Sequence, residues 1–397
     1  MPRLASDRGS ESTTMPDLRV NIQQPALAKY RVPLFRALAA RPGLRVTVYY
    51  GQEADLANDE PDGFEAHFVP MPQWGVLGRT VRWSRPQIAL ATPARGDVLV
   101  LSWNLNYLSL PPALLRARAR GMPTILWGHG FAKDDRWYRR APRNAVGRLA
   151  TALLFYNHTT RNEFVAAGYD PARLFVAQNA LDDRAIHAAA ERWCARPGAL
   201  EAFRRKNGLV GRRLVLFVSR VTPKARVEWL VEAAARLRER VPNLLVAIVG
   251  GGELEAVQKQ VNRLGLGSVV RLVGPIYEEA AVAPWFLSGD VFCYPASVGL
   301  SLIHAFAYGL PIVTSDNYAL RNPEIEALDP GSNGLLYRHG DVADLAHQLA
   351  EVLGDEPRRA AMATAARRTV SERYNLRTMV DGFEAAIRFA AAQRAQA

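Results

Sequence analysis

Cysteine is scarce in this chain: 2 in 397 residues, Cys194 and Cys293, far apart. That excludes a disulfide framework and any Cys-based metal spacing, so both read as reduced thiols and the expected setting is cytoplasmic. Long apolar runs are missing as well; none reaches the roughly 18 residues that span a bilayer. The first stretch, Met1–Pro16, is polar and has no apolar h-region, so it reads as a disordered leader and not as a secretory signal. No Ser-His-Asp order, metal-ligand cluster or Walker motif stands out. Chemistry in this chain rests on cations and shape more than on a nucleophile.

What is present describes a globular protein, with 49% hydrophobic and 22% charged residues. The length favours two domains. The net charge is +12 and uneven. Residues 1–200 carry 26 Lys and Arg against 17 Asp and Glu, a net +9, and residues 201–397 carry 24 against 21, a net +3. The basic first half points to an anionic partner, an anionic membrane surface or a phosphorylated acceptor. A scattered Arg-rich surface is the plain alternative. Trp137-Tyr138-Arg139-Arg140, with Lys133, Arg136, Arg143 and Arg148 around it, has the mixed aromatic and basic character of a membrane-surface patch. No nucleic-acid-binding module pattern appears, so nucleic acid is not an expected partner.

Hydrophobic periodicity predicts strands alternating with helices in both halves. Leu18–Ile22, Leu44–Tyr50, Phe64–Val69, Asp97–Leu101, Thr124–Trp127, Ala152–Tyr156 and Leu174–Ala177 are strands of the first. Leu214–Val218, Leu244–Val249, Val269–Val273, Val291–Tyr294 and Ile312–Thr314 are strands of the second. Pro70–Arg85 reads as irregular, and 181–212 as a polar, Ala/Arg-rich connection. Such alternation gives an α/β protein of two doubly wound, Rossmann-like domains. The predicted boundaries are 17–185 for the first domain, 186–212 for a linker, 213–372 for the second domain and 373–397 for a C-terminal helix that packs on the first. Ligands of open α/β sheets bind beyond the carboxyl ends of the strands.

The candidate site residues sit at those ends. Arg220, Lys224 and Arg226 follow the strand Leu214–Val218 and could hold a diphosphate, or could be a solvated basic turn. Gly250–Gly252, with Gly251 at its centre, resembles a phosphate turn but lacks the full glycine spacing; Glu253 repels phosphate, so a structural turn fits it better, with donor binding through backbone contact to the nucleotide base as the alternative. Gly299, Leu300 and Ser301 begin a helix whose free N–H groups suit an anion. His129, between Gly128 and Gly130, is placed to hydrogen-bond a sugar hydroxyl or phosphate, or is a turn residue without a role. Glu324 could accept from ribose or sugar hydroxyls, or start a helix. Tyr30 and Arg31 could meet an acceptor, or start a helix.

In order and spacing these motifs resemble a GT-B glycosyltransferase of the large retaining family 4, across about Leu18 to Phe389. Lys29–Phe35, Trp127–Gly130 and Phe175–Ala180 carry the resemblance in the first half. In the second it rests on Phe217–Arg226, Val298–Ser301 with Ala305–Pro311, Asn333–Tyr337, and Gly340-Asp341. The resemblance implies transfer of a sugar from a nucleotide-diphosphate donor, with retention, to a polysaccharide, lipid-linked or other cell-envelope acceptor. It implies that Arg220, with Lys224 or Arg226, stabilises the departing diphosphate, that His129 contacts the transferred sugar or acceptor, and that neither metal nor other cofactor is needed. The place of work would be the cytoplasm, peripheral on the inner face of the plasma membrane. Four features depart from the family pattern. Ala296 and His304 stand where two glutamates are common; the second of these usually binds the donor ribose, and His304 offers a hydrogen bond in its place. Ala225 stands at the usual lysine, and Pro25–Ala28 replaces a glycine pair. These departures keep a non-catalytic glycan- or partner-binding module and a nucleotide-sugar epimerase as alternatives.

Overall fold

The computed structural model describes residues 17–53, 56–76, 78–130, 137–317 and 322–395, with the side chains of 79, 137–140 and 395 left aside. The expected leader, Lys133 and Arg136 lie outside them. The strands are β1 (Leu18–Gln24), β2 (Leu44–Tyr50), β3 (Glu65–Phe68), β4 (Gln73–Val76), β5 (Arg79–Arg82), β6 (Val98–Ser102), β7 (Thr124–Gly128) and β8 (Ala152–Phe155). They continue as β9 (Leu174–Val176), β10 (Arg213–Val218), β11 (Leu244–Val249), β12 (Val270–Gly274), β13 (Val291–Tyr294), β14 (Ile312–Ser315) and β15 (Gly334–Tyr337). The α-helices are α1 (Val32–Ala39), α2 (Arg85–Ala89), α3 (Leu110–Ala119), α4 (Trp137–Leu149), α5 (His158–Ala166), α6 (Asp183–Cys194) and α7 (Pro197–Lys206). After them come α8 (Val227–Arg240), α9 (Leu254–Arg263), α10 (Glu279–Phe286), α11 (Leu300–Ala307), α12 (Val342–Gly354), α13 (Glu356–Glu372) and α14 (Leu376–Ala395).

Two parallel sheets organise these elements, so the α/β, Rossmann-like expectation is met in both halves. Strands β1–β3 and β6 lie side by side in one sheet, and β10–β15 form another in the order β12-β11-β10-β13-β14-β15. Order reverses at β10, where β11 lies on one side and β13 on the other. Loops leaving the carboxyl ends of those strands diverge there, which opens a crevice for a ligand. Strands β11 and β13 are buried at every position, as a sheet covered on both faces requires. By compactness the chain forms two units, Met1–Ile125 with Ile387–Ala397, and Leu126–Ala386.

In the first unit β1 pairs with β2 from Leu18↔Leu44 to Gln24↔Tyr50, and with β6 from Val20↔Val98 to Ile22↔Val100. The stretch 70–85 is not irregular throughout: β4 and β5 make an antiparallel hairpin. Its mixture of tryptophan and arginine has no clean alternation, which hid it. Tyr30 and Arg31 lie in a 3-10 turn that runs into α1. The end of the C-terminal helix is tied here, with Arg394 on the Asp97 carboxylate at 2.9 Å and Arg388 on the Pro42 carbonyl at 3.1 Å.

In the second unit the connection 181–212 folds as two helices. Its Ala/Arg-rich composition is that of a good helix former, and α6 buries Ile186 and Ala189 in the core around β10. Cys293 is wholly buried in β13, where burial pushes its thiol far up. Earlier in α14, Phe383 packs edge-on to Trp127 of β7 at 4.6 Å. Gly382 lies so near β9 that a Cβ would run into the carbonyl oxygen of Val176.

That contact reverses a helix rule. In an open helix, replacing glycine by alanine gains about 1 kcal/mol. Here Gly382→Ala is expected to cost about 2 kcal/mol through overpacking against backbone, and a lower midpoint in urea denaturation with an unchanged slope would show it.

Candidate functional site

The loop after β10 is fixed before it reaches solvent. Ser219 N–H donates to the Val249 carbonyl at 3.0 Å, Val221 N–H to Gly251 at 2.7 Å, and Glu253 N–H to Val221 at 3.1 Å. Gly250 and Gly252 have φ of 152° and 110°. A Cβ at either would strike the carbonyl of Ser219 or of Val221. The glycine turn is therefore spent on the close pass of two backbones. Gly251 itself has room around it and lends its carbonyl to that pairing.

From this fixed stem Arg220, Lys224 and Arg226 are exposed on one loop. Arg226 holds a left-handed φ of 55° at the start of α8. Its guanidinium bonds Glu228 at 3.3 Å and lies 5.4 Å over the Trp229 ring. Burial raises the Tyr294 phenol, while a hydrogen bond with Ser219 and the Arg220 charge act against that rise. Arg220 thus sends its field onto the end of β13 as well as into solvent.

The loop after β13 is pinned to the first. Ala296 N–H donates to the Ala225 carbonyl at 3.2 Å, and both alanines are buried. Ser297 follows with φ 59°; it and Arg226 are the non-glycine residues of positive φ among those described. Asn322 donates to the carbonyls of Ser297 at 2.9 Å and Val298 at 3.1 Å, and the Tyr337 hydroxyl donates to Pro295 at 2.8 Å. Left-handed backbone in ordinary residues costs about 1–2 kcal/mol each, and such strain persists where surrounding bonds over-determine it. Gly299, Leu300 and Ser301 then begin α11, whose first turn has no side-chain cap.

His304 leaves that cluster. Its Nε2 meets the Glu279 carboxylate at 2.9 Å, the Tyr308 hydroxyl donates to the same oxygen at 2.5 Å, and the Phe286 ring lies 4.4 Å away. The Tyr308 phenol is driven strongly upward by burial and then by Glu279, so it stays a donor. Glu324 is 5% exposed in the 3-10 turn Pro323–Ala327 and accepts from Asn179 at 2.6 Å. In the same turn Glu326 accepts from the N–H groups of His158 and Thr159 at 2.9 and 3.4 Å, a carboxylate at the start of α5.

His129 is exposed and stacks obliquely on Tyr156 at 4.7 Å. In the first unit Arg31 is buried and lies 5.0 Å over the Tyr30 ring. The structure thus joins the loops of Arg220, Lys224, Arg226, Gly251 and Gly299, sets Glu324 beside Gly299, and commits His304 to Glu279. Asn179, Asn322 and Glu279 were not among the expected site residues. An asparagine before proline is a turn signal for Asn322; nothing local marks the other two. Among the described residues no group of three or more His, Cys, Asp or Glu is placed to hold a metal, and no helix is long and apolar enough to cross a membrane.

Residues 200–369 match the family described as glycosyl transferases group 1. The chain is 29% identical over 280 residues to a GDP-mannose-dependent alpha-(1-6)-phosphatidylinositol monomannoside mannosyltransferase of Mycolicibacterium smegmatis, spanning 68% of this chain and 70% of that one. It is 34% identical over 184 residues to a D-inositol 3-phosphate glycosyltransferase of Kribbella flavida, with 43% and 42% covered. Among solved structures it is similar to Anabaena HepE in complex with UDP, with a TM-score of 0.67, 16% identity, and 92% and 98% covered. The fold is GT-B, and the matches support a transferase enzyme. The matched region contains the basic loop, the glycine turn and the helix that starts at Leu300.

The placement of His304 separates packing from ligand contact. His304→Ala is expected to lower stability by about 1 kcal/mol, the worth of a hydrogen bond, and to leave the affinity for UDP and GDP unchanged. Thermal melts and calorimetric titration of the two nucleotides check both halves.

Proposed function

We propose that this protein is a glycosyltransferase that moves a sugar from a nucleoside-diphosphate donor, with retention of configuration, to a polysaccharide, lipid-linked or other cell-envelope acceptor. The observation that carries the reading is the stitched loop Ser219–Arg226, which presents three exposed cations at the carboxyl end of a parallel strand. Diphosphate departure concentrates negative charge on the leaving group. Preorganised cations aimed at that charge stabilise the transition state more than the ground state. Arg220 takes the central part, because its backbone is fixed on both sides by bonds to the β11 turn. Lys224 and Arg226 add charge, and the first turn of α11 at Gly299–Ser301 adds N–H donors. His129 serves the transferred sugar or acceptor, and Tyr30 with Arg31 serve the acceptor. In this reading the cations do the work of a metal ion, and no cofactor is required.

The names of the similar proteins support the class. One is GDP-mannose-dependent and named for a phosphatidylinositol mannoside, another for D-inositol 3-phosphate, and HepE was solved with UDP and with UDP-glucose. The first and the last of these names share a nucleoside diphosphate. An acceptor with a phosphorylated or lipid-linked headgroup suits the +9 of residues 1–200, and work at the cytoplasmic face of an anionic membrane follows from the same charge.

Arg220→Ala is expected to reduce transfer on the order of 100-fold or more without moving the melting temperature. A thermal-shift screen of UDP-, GDP-, ADP- and TDP-sugars identifies the donor for that assay, since a ligand of the native state raises the apparent midpoint. Undiminished turnover by the variant would sink the assignment. Absence of any shift would favour the non-catalytic module that Ala225 and Ala296 suggest.

A further inference from the structure

Asn179 and Glu324 stand 145 residues apart in sequence and 2.6 Å apart in space. Asn179 is 8% exposed and Glu324 5%. The Asn179 amide nitrogen donates to Glu324 Oε1, which fixes the orientation of the amide and points its oxygen elsewhere. That oxygen, Asn179 Oδ1, is buried and has no hydrogen-bond partner. Buried acceptors are rarely left so, and an exception in a native fold asks for an explanation.

The surroundings narrow what could satisfy it. A Cβ at Gly299 would lie 3.8 Å from Glu324 Oε2 and 3.2 Å from the Asn322 amide, so Glu324 and Asn322 both border the residue that precedes α11. An anion placed against the buried carboxylate of Glu324 is repelled. A metal ion finds no cluster of three acidic, histidine or cysteine ligands among the described residues. A neutral group that donates two hydrogen bonds fits, because the amide oxygen and the carboxylate are both acceptors. Two adjacent hydroxyls of a sugar ring are such a group. The other polar groups of the loop are engaged elsewhere: Asn322 with Ser297 and Val298, and His304 with Glu279.

We propose that Asn179 and Glu324 form a hydroxyl-binding subsite for a sugar ring of the donor. The inference rests on the nucleotide-sugar reading above and adds to it the residues that recognise the ring. The hydroxyls accepted there belong either to the ribose or to the transferred sugar, and the two sources leave different signatures.

Calorimetric titration of the full chain and of the variants Glu324→Gln and Asn179→Ala, with UDP, GDP and their hexose conjugates, tests the proposal. Loss of a hydrogen bond to a charged acceptor weakens binding about 10- to 100-fold. If the ribose is held, both variants lose that factor for the free nucleoside diphosphate and for its sugar conjugate alike. If the transferred sugar is held, they bind the free diphosphate as the parent does and lose the factor for the conjugate. Glu324→Gln keeps the shape of the side chain, so a melting temperature close to the parent's shows that the fold survives. Variants that bind every nucleotide as the parent does would overturn the subsite and leave Asn179 and Glu324 a structural tie. A parent chain that binds no nucleotide overturns the donor reading itself.

Discussion

The backbone hydrogen bonds that flank Ser219–Arg226 are the constraint on which the candidate site depends. One flank is Val221 paired with Gly251 and Glu253; the other is the Ala225 carbonyl taken by Ala296. A loop carrying three cations repels itself, and exposed arginine and lysine side chains lose much entropy when ordered. Side-chain ion pairs could not hold such a loop, since exposed pairs are worth about 1 kcal/mol at most. Backbone bonds can, and the side chains of Arg220 and Lys224 stay exposed on that frame while Arg226 also bonds Glu228. Gly250 and Gly252 exist to permit that approach, and the left-handed Arg226 and Ser297 follow directly after the bonded alanines.

The same economy appears on the β13 side. Asn322 and Tyr337 secure the carbonyls of Pro295, Ser297 and Val298, so the path into α11 is determined before the helix begins. The first turn of α11 therefore needs no side-chain cap to be positioned. The loop that carries Arg220 and the loop that leads into α11 share one backbone bond, from Ala296 N–H to the Ala225 carbonyl.

Much of this was legible in the sequence, for a physical reason. Parallel strands covered on both faces must be continuously apolar, and β10, β11 and β13 announce themselves that way. A cation run directly after such a strand is conspicuous, so Arg220, Lys224 and Arg226 could be named in advance. Elements that bury only a narrow or small-residue face were harder. Helix α6 hides Ile186 and Ala189 inside a polar stretch, and α13 buries Met362 with Ala366, Thr369 and Val370, a weak apolar signal. Partners distant in the chain were invisible: Glu279 claims His304 across 25 residues, and Asn179 claims Glu324 across 145. Periodicity reports which face is buried, not which side chain waits on the other side.

The departures at 225 and 296 take on a different meaning once they are seen to touch. The resemblance places a lysine at the first and a glutamate at the second, opposite charges at positions that here are both buried and joined by a backbone bond. A single charge at such a place would be desolvated without a partner, a costly state. Two alanines leave the contact neutral and the backbone bond intact. The substitutions therefore form one change of a contact instead of two separate losses, and the geometry of both loops survives it. Arg220, Lys224 and Arg226 remain exposed on the loop that contains Ala225.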